Sequence, residues 1–344
     1  MTSVPTDMAL HTTCIAGDFV HQLFACHVGV RLESVLPPLA LDVPTMLACR
    51  QLARALADAY LHPIELNLDM IQYNEALNKR STGRLTKHEE ALLQKFPHGH
   101  IILWYLPDAI SLWIQAEMEE ATVGMGHLLK TSMTGGEETQ WRTFPGYFHH
   151  SNRGPLIPGC INMAPCWFQQ GREPYGFPPT SVFAPEVSAT LKGECGPTVI
   201  TSMQRSALLA SAALRVMHPE LYWASVNTQI KLAEWAMDNG LHDIYTRLQL
   251  WASVFNCAAV ICNRQCPLHR DPRSAPEGCN ITPGAIVACS GHIVRHGVTF
   301  TGDRVVWTWF MRDSLHNFVG TPRPQYAKYK DVDSHVSVSA SMDR

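Results

Sequence analysis

Apolar residues recur at helical spacing over 43–60, with Leu47, Leu52, Leu56 and Tyr60 among them, and predict an amphipathic helix there. A polar stretch follows over 74–87 with a loop at Gly83, and Thr86 followed by Glu89 fits a capping box opening a helix that runs to about Phe96. A third helix is expected over 109–129, where Ile110, Trp113, Ile114 and Met118 mix with Glu117, Glu119 and Glu120. The middle, 131–200, is punctuated by Gly135, Gly136 and prolines from Pro145 to Pro185, which excludes long helices. Two helices are predicted over about 201–217 and 219–239, with Pro219 in a first turn and Gly240 as the stop. From residue 248 the pattern turns strand-like, at Leu250, 253–255 and 258–262. It continues over 283–289, 292–298 and 304–311 in short strands broken by Gly284, Gly291, Gly297 and Gly302. The chain shows no internal repeat. The pattern describes an α+β domain over 1–320, with a helical support over about 1–240, a β-core over about 241–320, and a disordered polar tail over 321–344.

Composition narrows the classes. At 344 residues, 46% apolar and 17% charged, the chain can bury a sizeable core and is not disordered throughout. A balance of 27 Lys+Arg against 30 Asp+Glu is too neutral for attachment to nucleic acid by bulk charge, so any such contact needs a local patch. The one modest basic run, Lys79, Arg80, Arg84 and Lys87, is too sparse for a nuclear signal. No apolar run reaches the roughly 18 residues of a membrane helix. Asp7 and His11 interrupt the N-terminus, which does not read as a signal peptide. Eleven cysteines, an odd number without small-scaffold spacing, read as reduced thiols of an intracellular protein.

The candidate chemistry centres on His269-Arg270-Asp271. Alternate residues of a strand share a face, so His269 and Asp271 can grip one ion. A distal histidine, His296, would complete two histidines and one carboxylate, the facial set that suits iron(II) with open positions. Arg304, eight residues further on, offers a guanidinium for a bidentate pair with a carboxylate. A lone His-x-Asp carries no weight among 17 histidines. Alone, His292 or His296 reads as a hydrogen-bonded histidine and Arg304 as a surface ion pair. Their order along a strand-rich stretch is what raises the reading.

Two rivals share these residues. A kinase catalytic loop would place an asparagine five residues after Asp271, where Pro276 stands, and neither an Asp-Phe-Gly nor a glycine-rich strand loop is present. A structural zinc site could draw on Cys257, Cys262, Cys266, Cys279 and Cys289 with His269, but the cysteines form no mirrored pairs.

The stretch Asn263-Arg264-Gln265-Cys266-Pro267-Leu268-His269-Arg270-Asp271 resembles the metal segment of the fungal TET/JBP-like 2-oxoglutarate and iron(II)-dependent dioxygenases. Pro283-Gly284-Ala285-Ile286-Val287-Ala288, Ser290-Gly291, Arg295-His296-Gly297-Val298, Gly302-Asp303-Arg304 and Met311-Arg312-Asp313 are similar to that family's second half. Trp104-Tyr105-Leu106-Pro107, Pro158-Gly159-Cys160-Ile161-Asn162 and Trp167-Phe168-Gln169-Gln170-Gly171 extend the resemblance over roughly 100–320. It implies a double-stranded β-helix (jelly-roll) core and oxidation of 5-methylcytosine in DNA to 5-hydroxymethylcytosine and beyond, on a base flipped out of the helix. It also implies His269, Asp271 and His296 as iron ligands, His292 as the fallback for the distal one, and Arg304 as the anchor of 2-oxoglutarate. Methylated DNA would then be the partner and the nucleus the compartment.

One departure from that family matters. Only residues 272–295 separate Asp271 from His296, whereas four strands of about 5 residues with turns need roughly 30. A family segment between Gly278 and Cys279 is missing, so the core is expected to be incomplete, with unpaired edges and a weak or inactive site. The alternatives to an enzyme are therefore a dioxygenase-fold relic without metal chemistry, or a structural zinc protein. Trp167-Phe168 with Gln169-Gln170 could line a base, although core packing is the commoner use of such a pair, and His149-His150 reads as a solvated loop pair.

Overall fold

The computed structural model describes residues 4–63, 101, 103–150, 154–169, 171–173, 183–269, 276–279, 283–290, 296–298, 300–321, 323–325, 327–329 and 332. The capping box at Thr86 and the basic run at Lys79 lie outside them. Helices α1 (Ala9–His27) and α2 (Val43–Leu61) open the chain. The hydrophobic pattern predicts nothing over α1, yet Leu10 is buried in one core and Phe19, Val20 and Phe24 in a second. The helix packs on α7 (Gln204–Met217) and on α2. The predicted 43–60 helix is α2, and Asp42 caps it by accepting from Thr45 N at 2.8 Å.

The helix expected over 109–129 is two, α3 (Leu112–Gly124) and α4 (Gly126–Ser132), which meet at Met125. Glycine on both sides of Met125 weakens helical continuity. A Cβ at Gly126 would also lie 2.9 Å from Ile157 Cδ1, so the break is built into the packing. The 131–200 region forms only short helices among the described residues, α5 (Ala189–Lys192) and α6 (Gly196–Ser202). Next come α7 and α8 (Pro219–Asp238), the latter starting on Pro219 and stopping where Gly240 adopts φ +67°.

The strand-like pattern does not begin at 248 as expected. Residues 242–250 form helix α9 (His242–Leu250), and 251–256 run without a ladder. Trp251, Ala252, Ser253, Val254 and Phe255 are all buried, so their apolar character reflects burial rather than strand pairing. Side chains satisfy this segment's backbone: Gln229 Nε2 donates to Phe255 O at 3.1 Å, Trp251 Nε1 to the same oxygen at 2.6 Å, and Val254 N donates to Ser211 Oγ at 3.1 Å.

Among the described residues the strands make three antiparallel groups. β2 (Gly159–Met163), β3 (Cys257–Cys262) and β8 (Val305–Phe310) form one sheet with β3 central. β1 (Leu103–Leu106), β6 (Ile286–Ser290) and β5 (Pro276–Cys279) form the second with β6 central. β4 (Cys266–His269) and β7 (His296–Val298) form a two-stranded ladder. Two of these strands, β1 and β2, come from the part of the chain read as helical support. The architecture is mixed α+β. Helices α4, α6, α8 and α9 and the first sheet share one core, with Met163, Tyr222, Val260 and Trp309, while α1, α2, α7 and β1 share a second.

The polar pattern predicts a disordered tail from 321, but its first part is packed. Val332 is buried in the α1–α2–α7 core, Tyr329 stacks on Tyr60 at 4.6 Å, and His218 Nε2 bonds Gln325 O at 2.9 Å. Apolar residues spaced through the polar stretch explain the difference.

Candidate functional site

β3 is flanked by two asparagines that extend its pairing with β8. Asn263 sits at φ +51°, a left-handed conformation that asparagine tolerates better than most residues, and it is 1% exposed. Its backbone N donates to Arg304 O at 2.8 Å, and its Oδ1 accepts from Arg304 N at 2.7 Å. Nδ2 donates to Asp303 Oδ1 at 2.9 Å, and the Asn263 carbonyl accepts from His149 N at 2.8 Å. At the other end Asn256 Oδ1 accepts from Arg312 N at 2.8 Å. The side-chain amides thus continue the ladder past both ends of the strand. Burial, with Asp303 adding to it, pushes the Cys262 thiol up to about 12.

Arg304 is held by this clamp just before β8, with its guanidinium 5.8 Å from the centre of the Phe300 ring. Exposed His149 meets the same ring edge-on at 5.5 Å.

Beyond Asn263 the chain enters β4. Gln265 N donates to Tyr147 O at 2.8 Å, and Arg264 bridges Phe148. In the β4–β7 ladder Cys266 opposes Val298, and His269 opposes His296. Residues opposed in an antiparallel ladder share a face, with Cβ atoms about 5 Å apart. The two histidines singled out in the sequence therefore occupy one rung. The register shifts between Cys266 and His269, where Pro267 contributes no ladder donor. Asp271, two positions past His269, and His292 lie outside the described residues.

The short link between Asp271 and His296 contains β5 and β6, which pair with each other from Pro276↔Ser290 to Cys279↔Val287. This hairpin turns the chain back, so two described strands suffice to return His296 to His269. Gly284, at φ +75°, makes its entry possible: a Cβ there would lie 2.6 Å from Ile110 O, while Gly284 O accepts from Ile110 N at 2.8 Å.

Two histidines at one register position of an antiparallel ladder are the residue type that holds a cation taking nitrogen ligands, and a carboxylate two residues from one of them in sequence would complete a facial set. Among the described residues no group of three metal-ligating side chains gathers, and Asp271 is not among those residues. The zinc rival draws on dispersed residues: Cys257 and Cys262 close opposite ends of β3, Cys266 lies in the two-stranded ladder and Cys289 in the second sheet.

The aromatic pair offered as a base-lining element packs instead. Phe168 is buried edge-on against Phe318 at 5.5 Å, and Trp167 bridges Glu186. The residues that sequence reasoning missed are Asn256 and Asn263. Their signal was an asparagine bounding each end of an uninterrupted apolar run.

No family model matches the chain, and no curated protein sequence matches it. Among solved structures the chain is similar to NgTET1 in complex with 5mC DNA, with a TM-score of 0.34 and 14% identity over 69% of this chain and 80% of that one. At that score and identity the likeness assigns neither a residue nor a reaction to this chain.

Proposed function

We propose that this chain is a 2-oxoglutarate and iron(II)-dependent dioxygenase of the TET/JBP-like kind, built on a jelly-roll core, that oxidises the methyl group of 5-methylcytosine in DNA. The observation that carries the reading is the His269–His296 rung, which brings together two histidines 27 positions apart in sequence on neighbouring strands. In this reading His269, His296 and Asp271 hold the iron, and Arg304 pairs with the far carboxylate of 2-oxoglutarate. An iron held there would supply oxygen activation, coupling hydroxylation of the methyl group to the oxidative decarboxylation of 2-oxoglutarate to succinate. The Asn263 clamp fixes the Arg304 backbone and so the point from which the guanidinium would reach. The target base reaches the rung only after leaving the helix. Action on DNA would place the protein in the nucleus; among the described residues no helix is long and apolar enough to cross a membrane.

A second reading has its own observation. Among the described residues the ladder bearing the rung is two strands, of three and four residues, which favours a relic that keeps the fold without the chemistry. Incubation of the full chain with iron(II), 2-oxoglutarate, ascorbate and a DNA strand containing 5-methylcytosine, followed by mass spectrometry of the nucleosides, separates the two. Hydroxymethylcytosine in excess over enzyme, lost in His269→Ala, is the expected result. Unmodified 5-methylcytosine after incubation with a folded chain would leave the relic.

A further inference from the structure

Arg264 lies between β3 and β4 and is only 7% exposed. Among the described residues its guanidinium meets the Trp141 ring at 5.0 Å, the Arg142 carbonyl at 3.5 Å and the Cys160 thiol, and its Nε meets no acceptor. None of these is a carboxylate. A guanidinium buried without a counter-charge is costly, and an anion arriving beside it offsets that cost.

A second guanidinium sits close by. Arg142, exposed, lies over the same Trp141 ring at 4.2 Å, so one indole holds two positive charges. Both arginines lower the Cys160 thiol against the dominant effect of burial, which raises it, so both act on a single sulfur. Exposed His149 and His150 follow in the same loop. Exposed Glu137 and Glu138 precede this loop in sequence, and Asp303 accepts from Asn263. Rings that hold arginines in place reduce the freedom lost when guanidiniums grip phosphate oxygens in pairs.

We infer that Trp141, Arg142 and Arg264 form a phosphate-contact site for the backbone of a nucleic-acid strand leading toward the His269–His296 rung. His269 lies five positions beyond Arg264, about 17 Å at the full reach of an extended chain. A free phosphate or mononucleotide at the cluster could not also present a base at the rung, whereas a strand can. The inference rests on the nucleic-acid half of the proposed function and not on its metal chemistry.

The test titrates the metal-free full chain with a fluorescent DNA strand carrying 5-methylcytosine across a range of salt. Arg142→Gln, at an exposed position that leaves the core intact, should weaken binding about tenfold and lower the log–log salt slope by about one. Trp141→Leu keeps both charges but removes their platform, and should weaken binding with a smaller change in slope. Arg264→Gln should lower the slope by about one more; if it does not fold, the first two variants decide. Arg54→Gln, exposed on α2, matches the charge change elsewhere and should bind as the unaltered chain does. No binding by the unaltered chain, or binding that Arg142→Gln and Trp141→Leu leave unchanged, overturns the inference. DNA binding that depends on these residues in a chain that gives no complex with iron(II) and 2-oxoglutarate would overturn the oxygenase reading and leave this one standing.

Discussion

The β3–β8 pair and the β4–β7 pair follow one another along the chain but are held very differently. β3 is central in its sheet, five of its six residues are buried, and Asn256 and Asn263 close both ends of its pairing with β8. The β4–β7 ladder has two strands, a proline and a register shift. Two-stranded ladders are marginal on their own. Among the described residues the candidate ligands thus stand on a short two-stranded ladder that follows directly on the better secured β3. Such a site gains order from whatever binds it, because a ligand that binds only the ordered state stabilises that state.

The largest test of this contrast is Asn263→Ala. It removes two side-chain bonds, one to a carboxylate, strands Arg304 N, and leaves a residue with Cβ in a left-handed conformation. Together these should cost about 4 kcal/mol in urea unfolding. A loss below about 1 kcal/mol would break the claim that the clamp secures β3 and β8.

Acid should act on the same secured region. His316 packs beyond the end of β8, where Nδ1 lies 3.1 Å from Thr321 O and 3.0 Å from Thr228 Oγ1. Burial, opposed by the Thr321 hydrogen bond and aided by Arg323, pulls its pKa down from 6.5 to about 4. The unfolded chain then binds the proton more readily than the folded one, so this histidine's share of stability is present above pH 6.5 and is lost as pH falls toward 4. The loss should reach about 3 kcal/mol. His316→Gln should flatten the slope of stability over that range, and an unchanged slope would assign acid sensitivity elsewhere.

Asn256→Ala should cost less than its counterpart, about 1.5 kcal/mol, because it removes one good bond. The smallest expected effect distinguishes the two ladders directly. Adding iron(II) and 2-oxoglutarate should slow hydrogen exchange in β4 and β7 while leaving β3 and β8 unchanged. Equal protection in all four strands before addition would erase the contrast.

Legibility in the sequence divides along similar lines. The long amphipathic helices α2, α7 and α8 carry periodicity, a cap or a proline, and a stop, and these local signals place them within a few residues. The 248–255 segment misleads because burial against α8 produces the same apolar run as a strand. Helix α1 escapes because its buried positions include Thr13, Gly17 and His21 and are divided between two cores, so no single apolar stripe marks it. The His269–His296 rung is legible as an order of residues, but its closure through a single hairpin is not, since a count of residues suggests that more strands are needed. Asn263 falls within a recognisable motif but shows no role there, because its work is to complete a ladder with a residue 41 positions away.

The central claim is that the rung is a ligand site. The most direct measurement is anaerobic addition of iron(II) to the purified chain followed by titration with 2-oxoglutarate, read by the metal-to-ligand charge-transfer band. A band that rises and saturates in the unaltered chain and is absent in His269→Ala is the predicted result. A folded chain that gives no band, or a band that survives in His269→Ala, would contradict it.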